Sequence, residues 1–192
     1  ASALEAPKPA TAGGIALSVD SPKSSLTFLM DSALEKIDGD APGSLSGELS
    51  VDLDDLTKSS ALVKVDLDKL VLYQQRRPDE SGNYGERKKN DRQNEHARDW
   101  FQIVPHEGEV TAEQAAENRI AELRIDTIET HTPNVRSQSG PERKVTATVS
   151  GDLRLHGRKA RQSMTVELTF RFAGEKLDSL DVRSVCPLAV SL

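Results

Sequence analysis

The chain contains four histidines that could in principle bind a metal ion or transfer protons: His96, His106, His131 and His156. No pair of them has the spacing of a helical zinc motif or of a Cys2His2 ligand set. Each lies in or beside a predicted loop or helix, where a solvated or hydrogen-bonded histidine is the ordinary case. We therefore predict no metal site, although loop histidines at one rim of a barrel could converge.

Motifs for nucleophilic catalysis and for nucleotide binding are missing from the sequence. No serine lies in a GxSxG pattern, and neither GxxxxGK nor GxGxxG occurs. Cys186 precedes a proline in a predicted strand, which favours a small half-buried residue over a nucleophile. Several carboxylates fall on the polar side of a strand or in a turn, where solubility explains them: Asp52, Asp54, Asp55, Asp66 and Asp68. The expectation is a protein that is not an enzyme.

The stretch 143–172 dominates the predicted structure, because apolar and polar residues alternate along both of its halves. The apolar positions are Val145, Ala147, Val149, Leu153, Leu155, Met164, Val166, Leu168, Phe170 and Phe172. Alternation of this kind predicts two strands with one apolar face. Gly157 can adopt the turn conformation between them, so we predict a β-hairpin. Arms of about ten residues suit a strongly curved sheet or a barrel.

Shorter alternating runs precede and follow this hairpin. They begin at Ile15 and again at Leu26, and two further runs cover residues 44–53 and 61–72. Gly47 lies inside one of these runs, where a glycine marks a bend or a bulge. Further runs at 119–129 and from Leu180 bring the total to about eight strands. The predicted class is all-β.

A long polar insert covers residues 74–93, and we predict that it is a surface excursion. Its basic residues are interleaved with acidic ones, which favours a solvated loop over a nucleic-acid surface. A short amphipathic helix is predicted next, capped by Asp91 or Asn94 and ending in an aromatic cluster. Residues 111–118 are compatible with either a second helical turn or a loop.

The composition limits the class of protein. A length of 192 residues fits one domain, which we place at 14–192 after a flexible leader at 1–13. The net charge of -6 argues against binding to nucleic acid or to an anionic membrane. No apolar run is long enough for membrane insertion as a helix. Ala1 could be a mature end after signal cleavage or an arbitrary boundary, and a single cysteine excludes an intramolecular disulfide.

Two segments together resemble the YceI-like family. The first contains His96, Arg98, Trp100 and Phe101; the second has the form G-x-L-x-x-H-G followed by a basic residue, here Gly151, Leu153, His156, Gly157 and Lys159. The opening SVDSPKSSLTFLM and the closing RSVCPLAVSL also resemble the family's first and last strands. The resemblance spans about residues 15–192, and the insert at 74–93 departs from a minimal member.

The resemblance implies an antiparallel lipocalin-like barrel that is exported in bacteria, to the periplasm or beyond, and holds a long isoprenoid or similar amphipathic chain. On this hypothesis the chain, an isoprenoid lipid or a quinone, lies against Phe28, Met30, Val51, Val65, Leu67, Trp100, Phe101, Ile125, Met164 and Leu168. The polar groups near its head group would be His96, Arg98 and His156. The family implies no catalytic residues and no cofactor besides such a ligand.

The sequence is compatible with more than one function. In a barrel of about eight strands the interior can be filled by side chains or can hold one elongated ligand, and Leu, Val, Phe and Met suit both outcomes. With a filled interior the protein would be a structural or interaction module whose insert at 74–93 binds a protein partner. The binding protein could be a monomer or a homodimer. An enzyme that uses rim histidines on a lipid-like substrate is the third hypothesis.

Overall fold

The computed structural model describes Leu4, residues 14–31 and residues 33–189. The predicted flexible leader at 1–13 therefore lies outside the described residues except for Leu4. The described residues form eleven strands, β1 (Ile15–Ser18), β2 (Thr27–Asp31), β3 (Glu35–Asp40), β4 (Leu45–Val51), β5 (Ser60–Asp66), β6 (Val71–Arg76), β7 (Lys88–Lys89), β8 (Ile120–Glu129), β9 (Glu142–Leu155), β10 (Arg158–Ala173) and β11 (Lys176–Ser184). Two α-helices, α1 (Asp91–Trp100) and α2 (Ala112–Asn118), lie between β7 and β8.

The strands form two antiparallel sheets. One has seven strands in the order β1-β4-β5-β8-β9-β10-β11, and the other has four in the order β2-β3-β6-β7. Strands make up 50% of the described residues and helices 15%, which confirms the all-β prediction. The larger sheet curls strongly into a half-barrel and does not close, so the expected closed barrel of about eight strands is corrected.

The structure has three more strands than the eight or so predicted, because β3, β6 and the two-residue β7 are hard to detect in the sequence. Glu35–Asp40 forms β3, although charged residues occupy four of its six positions. Val71–Arg76 forms β6 and extends into the stretch that we predicted as a polar insert. Polar residues also occupy inward positions of these strands, Glu35 in β3 and Gln74 in β6. Each strand therefore has only one large buried apolar residue, Ile37 or Leu72.

The hairpin of β9 and β10 confirms the prediction for residues 143–172. Fourteen residue pairs join the two strands, from Arg158 opposite Leu155 to Arg171 opposite Glu142. His156 and Gly157 form the two-residue turn, with φ of 50° and 67°. Positive φ at both turn positions matches the right-handed twist of the flanking strands. Gly157 makes this conformation accessible without steric cost.

Gly47 lies at the bend that the sequence predicted in β4. Its φ is 146°, and a Cβ built on it would lie only 2.1 Å from the carbonyl oxygen of Leu62 in β5. Any other residue would push the two strands apart at this point. The glycine therefore allows β4 to follow the curl of the larger sheet.

The apolar residues form two clusters. The first contains buried side chains of the larger sheet and of two connections: Val51, Leu53, Leu56, Ile125, Val135, Val145, Ala147, Val149, Val166, Leu168, Phe170, Phe172 and Leu177. The second joins the smaller sheet to α1 and to β8: Ile37, Leu67, Leu72, Ala97, Phe101 and Ala121. Phe170 and Val135 are completely buried in the first cluster.

The predicted surface excursion at 74–93 is corrected, because its two ends are parts of the fold. Residues 74–76 complete β6, Lys88–Lys89 form β7, and the first turn of α1 begins at Asp91. Between them, the guanidinium of Arg87 lies 3.6 Å from the ring centroid of Tyr73 and forms salt bridges with Asp38 and Asp40 of β3. The insert is therefore attached to the smaller sheet.

Helix α1 begins at Asp91, one residue earlier than a cap at Asp91 allows and four residues earlier than a cap at Asn94 allows. Its N-cap is Asn90, whose side chain accepts a hydrogen bond from the backbone N–H of Gln93. Asn94 has a different role: its side-chain amide accepts from the N–H of Leu72 at 2.8 Å and donates to the C=O of Leu72 at 3.0 Å. The two bonds fix α1 to β6.

The structure assigns two other segments. Residues 111–118, for which the sequence allowed either a second helical turn or a loop, form α2 with a capping box between Thr111 and Gln114. Strand β11 ends at Ser184, so Cys186 lies after the strand and is exposed. The prediction of a half-buried strand position for Cys186 is therefore wrong. The strand ends before Pro187, a residue that restricts the backbone of the residue preceding it.

The positive φ at the hairpin turn predicts a specific pattern of mutant stability. Gly157→Val should lower the free energy of unfolding by about 1 to 3 kcal/mol, because a β-branched residue is strained at positive φ. His156→Asn should raise it slightly, because Asn-Gly is the preferred sequence of this turn. Urea denaturation monitored by circular dichroism measures both changes. Equal stabilities for wild type and Gly157→Val would contradict the assigned turn.

Candidate functional site

The apolar face of the larger sheet contains a row of side chains that are only half-buried. We call Leu45, Val63, Leu123 and Leu153 the central band. Val63 of β5 lies opposite Leu123 of β8, and Leu123 lies opposite Leu153 of β9. Leu45 of β4 lies opposite Val65, two residues from Val63 in β5. All four side chains point to the same face, because directly paired residues and alternate residues of a strand share a face. They are half-buried, and Leu123 also packs against the first of two buried clusters, so partly accessible apolar surface crosses the middle of the sheet.

The central band lies between the two buried clusters. Two residues further along the strands on one side, Ile125 is buried in the first cluster. On the other side, Val65 and Leu155 pack against the second cluster. A half-buried apolar row flanked by two packed regions is a surface that an elongated apolar ligand can cover.

The structure places eight of the ten predicted tunnel residues in or against the two clusters. Val51, Ile125 and Leu168 are buried in the first cluster, and Met164 packs against it. Leu67 and Phe101 are buried in the second cluster, and Phe28 and Val65 pack against it. Met30 and Trp100 are 41% and 57% exposed. The set therefore surrounds the central band at both ends, and the last two residues lie on the surface.

The three predicted head-group residues do not form one polar site. The ring of His96 lies 6.1 Å from that of Trp100, centroid to centroid. Arg98 forms a salt bridge with Asp68, and His156 occupies the hairpin turn. Among the described residues no hydrogen bond or salt bridge joins the three.

The other potential metal ligands are similarly dispersed. The Nε2 atom of His106 lies 3.0 Å from Oδ1 of Asp99 on the surface, and His131 is exposed. Within the ranges that the structure describes, no group of three His, Cys, Asp or Glu side chains could hold a metal ion.

A buried charge cluster lies on the opposite face of the larger sheet. Glu122 and Arg154 are directly opposite each other in β8 and β9, and they are only 2% and 6% exposed. The Nε atom of Arg154 lies 3.1 Å from Oε2 of Glu122. Lys64 of β5 approaches Oε1 at 3.3 Å. The backbone N–H of Leu4 donates to Oε2 at 2.8 Å, so the carboxylate has three partners.

The surroundings of Glu122 lower the pKa of its carboxyl group. Burial alone would raise this pKa, but hydrogen bonds from the Leu4 N–H and from Arg154, the positive charge of Arg154, and a hydrogen bond from Lys64 outweigh it. Glu122 is therefore ionised over a wider pH range in the folded state than in the unfolded state.

Sequence reasoning missed this cluster for a clear reason. Glu122 and Arg154 occupy the polar positions of two alternating strands, so they were assigned to the solvent-exposed face. Alternation identifies which residues share a face but does not show whether a second layer covers it. The cluster can be recognised from the pairing of Lys64, Glu122 and Arg154 across three strands. That pairing is known only when the register of the strands is known.

Comparison with known proteins provides no assignment: no family model matches the chain, and no curated protein matches it. The resemblance to the YceI-like family therefore stays a prediction. In the part of the chain that the structure describes, no helix has the length and apolar character needed to cross a membrane.

The buried charge cluster predicts a large effect of removing one partner. Arg154→Met should lower the free energy of unfolding by about 3 to 5 kcal/mol, because it leaves the Glu122 carboxylate buried with weaker compensation. Arg124→Met is the matched control on the same face. Arg124 is 30% exposed on the side chain and lies 4.0 Å from Asp126, so the expected loss is less than about 1 kcal/mol. Equal losses in chemical denaturation would contradict the assignment.

The lowered pKa of Glu122 also predicts a pH dependence. The charged form stabilises the folded state at pH values above the unfolded-state pKa, and this contribution is lost as the pH falls through the lower folded-state pKa. The difference in stability between wild type and Glu122→Gln should therefore be greatest near neutral pH and shrink below about pH 4. Denaturation at a series of pH values measures it; a constant difference would refute the linkage.

Proposed function

We propose that the protein binds a long amphipathic chain, such as an isoprenoid lipid or a quinone, along the central band. The observation that carries the proposal is the half-buried row Val63, Leu123 and Leu153 between two buried clusters. The row lies on the apolar face of a strongly curled sheet, a surface that can enclose an elongated ligand more fully than a flat one.

Apolar burial can account for such binding. Each buried CH2 group contributes about 0.8 kcal/mol, so a fifteen-carbon chain gains about 12 kcal/mol before the costs of association. Association costs about 4 to 15 kcal/mol. At the lower end of this range about 8 kcal/mol remains, which corresponds to a Kd of about 1 μM without a charged anchor. The dispersed positions of His96, Arg98 and His156 are consistent with a ligand that is held mainly by its chain.

The resemblance to the YceI-like family supports the same proposal. It suggests an exported protein, periplasmic or secreted, that transports, stores or sequesters its ligand as a monomer or homodimer. The net charge of -6 also favours this class over a nucleic-acid-binding protein. The proposed activity is binding only and requires no bond to be made or broken.

The first test is native mass spectrometry of the purified protein, followed by extraction of any bound lipid and incubation with geranylgeraniol. We expect one molecule of the C20 alcohol per chain. An unchanged mass after incubation would contradict the proposal and favour a curled sheet whose apolar face is already filled by side chains.

A variant of the central band tests the location. Leu123→Trp should weaken geranylgeraniol binding at least tenfold, because the larger ring occupies the space of the ligand. Leu29→Trp is the control, since Leu29 is already 56% exposed on the smaller sheet. Melting temperatures establish that both variants fold, and Leu153→Trp replaces Leu123→Trp if the latter does not. Undiminished binding by a folded band variant would exclude this location.

A further inference from the structure

Gln74 lies on the inner side of the smaller sheet. It is two residues from Leu72 in β6 and directly opposite Ile37 in β3. Leu72 and Ile37 are 3% and 4% exposed and belong to the second cluster. Alternate residues of a strand and directly paired residues share a face, so the amide of Gln74 points toward this cluster. Gln74 is itself only 9% exposed.

Gln93 faces the same cluster from the first turn of α1. Gln93, Ala97 and Phe101 are spaced four residues apart, which places them along one side of the helix. Ala97 and Phe101 are buried in the second cluster, at 6% and 8% exposure. The side chain of Gln93 is half-buried on that side.

Asn90 holds the two glutamines together. Its Nδ2 atom donates to Oε1 of Gln74, and its Oδ1 atom accepts from the backbone N–H of Gln93 at 3.1 Å. Two polar atoms are then left buried without a hydrogen-bond partner among the described residues: Nε2 of Gln74 and Oε1 of Gln93. One is a donor and the other is an acceptor.

An unpaired buried polar atom is energetically unfavourable and is uncommon in folded proteins. Two such atoms of opposite polarity, on residues that both hydrogen-bond to the Asn90 side chain and face one apolar cluster, can be paired by one common partner. That partner must both accept and donate a hydrogen bond. A ligand hydroxyl group has this combination, as a water molecule does, whereas a quinone carbonyl only accepts and would leave Gln93 unpaired.

We propose that Gln74 and Gln93, which we call the amide pair, bind the hydroxyl head group of a long-chain alcohol such as a polyprenol. The hydroxyl oxygen accepts from Nε2 of Gln74, and the hydroxyl proton is donated to Oε1 of Gln93. This inference rests on the proposed function and adds the head-group chemistry. The alcohol's tail extends along the central band, because Val65 and Leu155 connect the second cluster to Val63 and Leu153.

The charges around the amide pair favour a neutral head group over a phosphate. Both side chains of the pair are uncharged. The basic residue opposite Gln74 is Lys88 of β7; its side chain is 71% exposed and forms a salt bridge with Glu86. The other cation on this side of β6, Arg76, is 71% exposed and lies 3.6 Å from the carboxylate of Glu35. Among the described residues, a phosphate buried beside the two amides would have no cation to itself and would lie near this carboxylate, which is strongly unfavourable.

The first experiment compares three C15 probes on the wild-type protein by isothermal titration calorimetry: farnesol, the hydrocarbon farnesene and farnesyl phosphate. We expect farnesol to bind about tenfold more tightly than farnesene, and farnesyl phosphate to bind more weakly than farnesol. Equal affinities for farnesol and farnesene would overturn the inference and leave the proposed function intact. A preference for the phosphate would also overturn it. Absence of binding by all three would overturn the proposed function and this inference with it.

Variants of the amide pair give the second experiment. Gln74→Leu and Gln93→Leu should each remove the preference for farnesol while farnesene binding stays unchanged. Gln75→Leu is the matched control on the opposite side of β6, where Nε2 of Gln75 donates to the C=O of Gly85 at 3.1 Å. It should keep the preference.

Ligand-free stability separates head-group binding from a structural role. Gln93→Leu removes an unpaired buried acceptor, so its melting temperature without ligand should equal or exceed that of wild type. A folded Gln93→Leu variant that retains the full preference for farnesol would contradict the proposal. A marked fall in its melting temperature would contradict it as well, by showing that Oε1 is already paired within the fold.

Discussion

The register of the β9 and β10 hairpin is the constraint on which the rest of the structure depends. Because His156 and Gly157 form a two-residue turn, the fourteen residue pairs of β9 and β10 can form in only one register. A slip by one residue would move every apolar side chain of one strand to the charged face. Strands β8 and β11 pair with the outer sides of this hairpin, so its register also places Leu123 in the central band and Glu122 in the buried charge cluster.

Local signals in the sequence predicted the parts of the fold that local physics determines. The hairpin, the bend at Gly47 and the faces of the long strands follow from alternation and from glycine. The central band did not follow, although Val63, Leu123 and Leu153 were each identifiable as apolar strand positions. Their alignment depends on pairing between residues that are sixty positions apart for Val63 and Leu123 and thirty apart for Leu123 and Leu153. No local pattern specifies that pairing.

Polar residues account for most of the differences between expectation and structure. Gln74 was assigned to a solvated insert because its neighbours are charged, yet its side chain faces the second cluster. Glu122 and Arg154 were assigned to solvent because they alternate with apolar residues. Conversely, Met30 and Trp100 were assigned to an interior because they are apolar, and both are exposed. Residue type indicates a preference for burial, whereas the layers that cover a face are determined by tertiary contacts.

The contact between Asn94 and Leu72 has a consequence for how the molecule behaves in a crowded solution. An edge strand presents free N–H and C=O groups to which a strand of another molecule can add. Here the Asn94 amide occupies both groups of Leu72, and the outermost strand, β7, consists of two lysines. A short, positively charged edge and an occupied backbone position disfavour strand addition, so this side of the smaller sheet is protected against intermolecular aggregation.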